Sequence, residues 1–197
     1  MFHVEHLCET TTRILIFFDY MNKELLLENL RNIPDFPIPG IQFKDVTSLF
    51  KKPECLREMD NALYDMYKDK GITKIVGIES RGFVMASSLA VKLNAGFVPI
   101  RKPGKLPAET ISETYGKEYG RDTIEIHKDA ICEDDIVLIH DDLLATGGTM
   151  LAAYHLVQKL NPKKVYINFI IELEGLKGRA IFPADAEIDC LLTLEGK

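Results

Sequence analysis

Ile136-Val137-Leu138-Ile139 is an unbroken run of branched apolar residues that leads into His140, Asp141, Asp142 and a loop ending Thr146-Gly147-Gly148-Thr149. A parallel strand covered on both faces requires such a run, so this segment is expected at the centre of a sheet. The two aspartates stand where that strand should end. Gly147 and Gly148 remove the steric block on tight backbone geometry. Thr149 can cap a helix whose apolar positions are Leu151, Tyr154, Leu156, Val157 and Leu160. The loop at 145–149 then offers free backbone N–H groups and small side chains at a helix N-terminus, which is an anion site. Two carboxylates beside it would repel a bare phosphate and suit a ligand with hydroxyls next to its phosphate, such as a ribose 5-phosphate. No lysine follows the glycines and the spacing is not G-x-G-x-x-G, so the two common nucleotide loops fit poorly. Either half of the run, taken alone, reads as no more than an acidic strand end or a glycine turn before a helix.

At 197 residues, 46% hydrophobic and 27% charged, the chain makes one ordinary domain with a small appendage. Its formal charge of −6, without a Lys/Arg block, argues against nucleic acid or a membrane as the main partner. Any basic site has to be local. Cys8, Cys55, Cys132 and Cys190 lie far apart without zinc-ligand spacing, and read as free thiols of a cytoplasmic protein. No apolar run approaches the length of a membrane span.

Residues 1–20 stand apart. Arg13 before Ile14-Leu15-Ile16-Phe17-Phe18 hints at a signal peptide, but the run is short, Glu5, Glu9 and Asp19 surround it, and no small-residue cleavage site follows. The expectation is an extension ahead of a natural start at Met21, with the working domain at 21–197; the alternative is an arm that packs on a partner subunit. A helix is expected from Met21, carrying Leu25, Leu26, Leu27, Leu30 and Ile33. Pro34, Pro37 and Pro39 then predict an extended, pinned segment at about 33–47. Its Phe36, Ile38, Ile41, Phe43 and Val46 require it to cover something.

Pro53 opens a helix with Leu56, Met59, Leu63, Met66 and Tyr67 on one face, and Gly71 ends it. Residues 74–78 and 96–100 read as buried strands. Glu79-Ser80-Arg81-Gly82 follows the first, then a helix to Leu93: a second strand–loop–helix unit with a cation at its tip. Arg101, Lys102 and Lys105 follow the second and supply local positive charge. Residues 102–122 have weak periodicity and predict a long loop of the kind that forms lids. Residues 124–127 alternate like an edge strand, and further strands are expected at 165–171 and 188–194, with a helical turn at 176–180. Strands alternating with helices predict an α/β fold: a parallel sheet with helices on both faces and a ligand site at the carboxyl ends of the strands. The loops at 79–82, 101–122 and 141–149 all leave such ends.

The run 137–149 resembles the signature of the type I phosphoribosyltransferases, which bind 5-phosphoribosyl 1-pyrophosphate (PRPP): four mostly apolar residues, two acidic ones and a loop ending Thr-Gly-Gly-Thr. The resemblance implies that Asp141 and Asp142 hold the ribose hydroxyls. It gives the 5′-phosphate to Ala145, Thr146, Gly147, Gly148 and Thr149. Arg81 would take the pyrophosphate, beside a cis peptide between Glu79 and Ser80. His140 departs from the usual apolar residue; it reads as a core histidine, the alternative being a titratable neighbour of the acidic pair.

The proline-rich segment, Arg101-Lys102-Pro103-Gly104-Lys105-Leu106-Pro107 and Glu118-Tyr119-Gly120 are similar to the adenine branch of that family. From this resemblance Phe43 stacks on the purine, and the backbone at Ile41, Gln42, Phe43 and Lys44 reads the base edge, with Leu143 also against adenine. Lys44 stands where many members have Arg. Arg101, Lys102 and Lys105 face PRPP, and Tyr119 closes the site. Glu118 exchanges a proton with the base, although on the residues alone it is a solvated loop charge. Ala145 stands where the 6-oxopurine enzymes usually carry an acid. The implied reaction is adenine plus PRPP giving AMP and pyrophosphate. Mg²⁺ would be held by PRPP and water with no direct protein ligand, in a homodimer across whose interface Arg101 reaches. A transferase for another base and a non-catalytic PRPP sensor remain as alternatives; the second lacks a spare nucleic-acid-binding domain.

Overall fold

The computed structural model describes residues 21–36, 39–40, 42–116 and 120–196. Its centre is a five-stranded sheet of β3 (Lys74–Ile78), β4 (Gly96–Ile100), β7 (Ile136–Leu144), β8 (Lys164–Leu173) and β9 (Glu187–Leu194), in the order β4-β3-β7-β8-β9. Every neighbouring pair is parallel, as expected of short apolar strands separated by helices. The helix α3 (Pro53–Tyr67) precedes β3, α4 (Gly82–Leu93) joins β3 to β4, and α5 (Gly148–Gln158) joins β7 to β8.

Alternation along the strands divides the core in two. Ile75, Leu138 and Tyr166 face α3 and α4, packing with Met59, Leu63, Met85 and Leu89. Val76, Ile139 and Ile167 stand in register on the other face, against Ala153, Leu156 and Val157 of α5. Each such Leu or Ile stabilises the fold by about 1.5–3 kcal/mol through burial alone. The sheet of the expected α/β fold is therefore present with helices on both faces.

Five details depart from expectation. β7 does not stop at Ile139 but continues through the aspartates, because Asp141, Leu143 and Leu144 keep pairing with Phe169, Ile171 and Glu172 of β8. The helix after the glycine loop is capped by Gly147, with no side-chain cap. Thr149 lies inside its first turn, and its hydroxyl donates to Tyr115 Oη at 3.0 Å.

The N-terminal helix α1 (Lys23–Asn29) is capped by Asn22, whose Oδ1 accepts from the Leu25 N–H at 2.9 Å, and it ends before Ile33. The described residues of the segment expected at 33–47 are not plainly extended. β1 (Arg31–Pro34) and β2 (Gln42–Asp45) pair antiparallel in a ribbon. Pro34 closes one strand of it, where a missing N–H costs little. A short helix, α2 (Thr47–Phe50), follows.

The expected lid loop is a second ribbon: β5 (Thr110–Gly116) pairs antiparallel with β6 (Arg121–His127). Ile124 and Ile126 of this ribbon are buried against the α5 side of the core. Lys159 at the end of α5 holds it, donating to Ser112 O at 3.0 Å and Glu113 Oε2 at 2.5 Å. Two 3-10 turns, Glu174–Leu176 and Gly178–Ile181, lead from β8 toward β9. Among the described residues no helix is long and apolar enough to cross a membrane. Cys55, Cys132 and Cys190 are free thiols.

Candidate active site

β3 and β7 are neighbours in the sheet, and the loops leaving their carboxyl ends share one cleft. The Glu79-Ser80 peptide is cis, as the resemblance implies. The next turn crosses β7 closely only because residue 82 is glycine. A Cβ there would stand 2.7 Å from the His140 carbonyl oxygen and 3.0 Å from Asp141 Oδ1. Arg81, at the N-cap position of α4, donates from Nε to Asp142 Oδ2. Glu79 accepts from Arg101 Nη2 at 3.0 Å and Nε at 3.3 Å, and from the Lys102 backbone N–H at 3.0 Å. Arg101 first, and then that N–H, hold the Glu79 carboxyl below the usual carboxylate range. The loop is thus a lattice of ion pairs that fixes two guanidinium groups at the rim.

β7 carries the acidic pair onto the floor of the cleft. Asp142 is buried beneath Arg81. Its N–H donates to Asp141 Oδ1 at 2.9 Å. Burial and then the Asp142 charge push the Asp141 carboxyl well above its ordinary range. Adjacent carboxyl groups, one neutralised by a guanidinium, supply acceptors for a pair of neighbouring hydroxyls. His140 is fully buried, with Nδ1 2.9 Å from Asn168 Oδ1. Burial lowers its pKa to about 4, so it is neutral near pH 7. It is a core residue, and among the described residues its Nε2 has no hydrogen-bond partner.

The loop after β7 works through backbone. Gly147 adopts φ +83°, and a Cβ there would stand 2.7 Å from Gly178 O. The first-turn N–H groups of α5 have no intrahelical acceptor. With no side chain capping the helix, they are available to an anion. A cavity of about 720 Å³ runs along this loop, past Tyr115 and Phe169. A second cavity, of about 260 Å³, reaches Glu79, Arg101 and Lys102. Arg81, Tyr115, Asp141, Asp142 and Thr149 line both, so the two are lobes of one site, sized for a small phosphorylated ligand.

The N-terminal ribbon reaches this cleft through Phe43. Its ring centroid lies 5.9 Å from the Arg81 guanidinium carbon, and Phe36 packs edge-on against it at 5.1 Å.

Residues 45–180 match the phosphoribosyl transferase domain. An adenine phosphoribosyltransferase from Phocaeicola vulgatus is 69% identical over 174 residues, 88% of this chain and 100% of that protein. The chain belongs to the adenine phosphoribosyltransferase family. Among solved structures, adenine phosphoribosyltransferase from Rhodothermus marinus superposes with a TM-score of 0.81 at 51% identity, over 87% of this chain and 97% of that one. The Saccharomyces cerevisiae adenine phosphoribosyltransferase, complexed with an imino-altritol bisphosphate and adenine, gives 0.80 at 41% identity, over 86% and 97%.

Measured against the family pattern, most residues expected at the site meet in the two lobes. Arg81, Asp141, Asp142, Leu143, Ala145, Thr146, Gly147, Gly148 and Thr149 line the larger lobe, and Arg101 and Lys102 the smaller. Lys102 Nζ is paired with Asp122 of the second ribbon. Lys105 lines neither lobe, and its carbonyl accepts from Arg101 Nη1 at 3.1 Å. Gln42 is tied within the first ribbon, where its Oε1 accepts from Asn32 Nδ2 at 2.6 Å. Lys44 stands opposite Asn32 in the same ribbon. Ile41, Glu118, Tyr119 and the 1–20 extension lie outside the described residues.

Residue-by-residue reading did not place Tyr115, Glu79 or Phe169 at the site, and the helical turn expected at 176–180 was not tied to the glycine loop it backs. Only the alternation of Ile111, Glu113 and Tyr115 signalled the first of these, and it is masked by Thr and Ser on the opposite face.

Proposed function

We propose that the protein transfers the phosphoribosyl group of PRPP to adenine, releasing pyrophosphate and giving AMP, with Mg²⁺, in purine salvage. The observation that carries this reading is the joining of the acidic pair, the uncapped loop at 145–149 and the guanidinium rim in one cleft beside Phe43. The family's named relatives and the adenine-bound Saccharomyces structure support the choice of base, and Ala145 in place of an acid argues against a 6-oxopurine.

In this reading the loop at 145–149 grips the 5′-phosphate, a non-reacting handle whose binding positions the reacting carbon. Asp141 and Asp142 fix the ribose hydroxyls as the ring gains oxocarbenium character. Arg81, Lys102 and Lys105 stabilise the departing pyrophosphate. Adenine N9 attacks the anomeric carbon as the carbon–oxygen bond to pyrophosphate breaks. Glu118 exchanges the proton that N9 loses, while Phe43 and Leu143 hold the ring and the backbone at Ile41, Gln42 and Lys44 reads its edge. The ribbon bearing Tyr115 closes over the site, Tyr119 helps to close it, and water is excluded.

Among the described residues no three His, Cys, Asp or Glu side chains form a metal cluster, and Asp142 is engaged by Arg81. This donor set fits a Mg²⁺ held mainly by phosphate oxygens and water. When bound, the ion supplies charge neutralisation to the pyrophosphate. The proposal extends to residues 21–197 as the working domain, 1–20 as an extension without function, a cytoplasmic location and a homodimer in which Arg101 reaches the partner's site.

Purified protein with Mg²⁺ and PRPP, offered adenine, hypoxanthine, guanine and xanthine separately, tests the reading. AMP from adenine alone is expected. Product from a 6-oxopurine overturns the base, and PRPP binding without product from any base overturns the activity.

A further inference from the structure

We propose that Arg179 and Glu172 are positioning residues for the phosphate loop, acting through the turn that backs it; the inference rests on the reading of 145–149 as the 5′-phosphate site. The turn and the loop touch backbone to backbone. A Cβ on Gly178 would stand 2.2 Å from Ala145 O and 2.8 Å from Leu144 Cδ1, and a Cβ on Gly147 would stand 2.7 Å from Gly178 O. Neither chain can shift without moving the other.

What holds the turn is the next residue. Arg179 Nε donates to both oxygens of Glu172, at 2.8 and 2.7 Å, and its Nη2 lies 2.7 Å from Oε2. Its Nη1 donates to Ile188 O at 2.6 Å. Glu172 is a buried carboxylate on β8 and the registered partner of Leu144, the last residue of β7 before the loop. The chain of contacts is therefore closed: Leu144 to Glu172 across the sheet, Glu172 to Arg179 by the ion pair, Gly178 back to Leu144, Ala145 and Gly147 by packing. A charged group is rarely buried without a partner, and this one is set where it fixes the turn to the strand that launches the loop. A planar, bidentate fork fixes orientation as well as distance.

A brace on the loop and a brace on the fold separate by ligand. The loop is assigned the 5′-phosphate, which AMP carries and pyrophosphate lacks. Arg179→Gln, Arg179→Lys and Glu172→Gln would be compared with the wild type for KM of PRPP and adenine, Kd of AMP and of pyrophosphate, and Tm. Arg179→Gln and Glu172→Gln are expected to raise the PRPP KM and the AMP Kd at least fivefold. The adenine KM and pyrophosphate Kd should stay within twofold, and Arg179→Lys should recover part of the AMP affinity. AMP bound as tightly by either Gln variant as by wild type overturns the inference, as does equal weakening of AMP and pyrophosphate alongside a lower Tm. Should Arg179→Gln fail to fold, the isosteric Glu172→Gln decides by the same criteria. Absence of AMP synthesis by the wild type would strike the proposed function instead, while the AMP and pyrophosphate affinities would still report on the brace.

Discussion

Two strand–loop–helix units meet at the cleft, and they are built on opposite plans. The unit from β3 to α4 is wired by side chains: Glu79 holds Arg101, and Arg81 holds Asp142. The unit from β7 to α5 uses almost no side chains. Its cap is a glycine in the left-handed region, and its shape is imposed from behind by the 178–182 turn. The difference teaches how each handles charge. The first presents guanidinium groups already paired within the protein, which in the proposed reading a pyrophosphate would have to draw away from carboxylates. The second presents backbone N–H groups that carry no counter-ion and need no release.

The largest expected effect breaks the backbone plan. Gly147→Val should cost PRPP binding at least about 100-fold, because a branched residue is strained at positive φ and its Cβ meets Gly178 O. Calorimetric titration on variant of native circular dichroism checks this, and retained binding would detach the phosphate from the loop. Gly82→Ala tests the close crossing of the other unit. Its Cβ would press on His140 O and Asp141 Oδ1, and displacement of Arg81 by an ångström should lower kcat/KM for PRPP on the order of 100-fold.

His140, fully buried on β7, gives a pH-dependent handle. Its folded pKa of about 4 lies below the ordinary 6.5. The unfolded chain therefore takes the proton first, and stability falls as pH drops from 7 toward 4. At pH 5 the loss is about 2 kcal/mol. His140→Val should flatten that part of the curve, read from urea midpoints at pH 7 and pH 5; an unchanged slope would assign the acid sensitivity elsewhere. The smallest effect joins the second unit to the ribbon. Tyr115→Phe removes the acceptor for Thr149 and should raise the PRPP KM several-fold, in line with about 1 kcal/mol for one hydrogen bond. Steady-state kinetics would show it, and an unchanged KM would make the contact incidental.

The central sheet was readable from the chain because strands buried on both faces leave unbroken apolar runs: 74–78 and 96–100 appear with those bounds. The two ribbons were not. Each needs only one apolar face; Thr, Ser and Glu fill the other in the second ribbon and Asn, Pro, Gln and Lys in the first, so 102–122 read as loop and 33–47 as a bare extended segment. The extension of β7 through Asp141 and Asp142 was hidden for another reason. It depends on β8 offering pairing as far as Glu172, which no local pattern records. Asp141, Asp142 and the glycine loop stood out because their order after a strand is informative and resembles a known signature. Gly178 touches a loop far away in sequence and Arg179 is tied to Glu172 on β8, and no local pattern records either contact.

The division of labour between the two units is tested most directly by measuring AMP and pyrophosphate affinities for Gly147→Val and Arg81→Gln side by side. The account predicts a crossed result: Gly147→Val loses AMP and keeps pyrophosphate, while Arg81→Gln loses more pyrophosphate than AMP. Parallel losses of both ligands in both variants would contradict it.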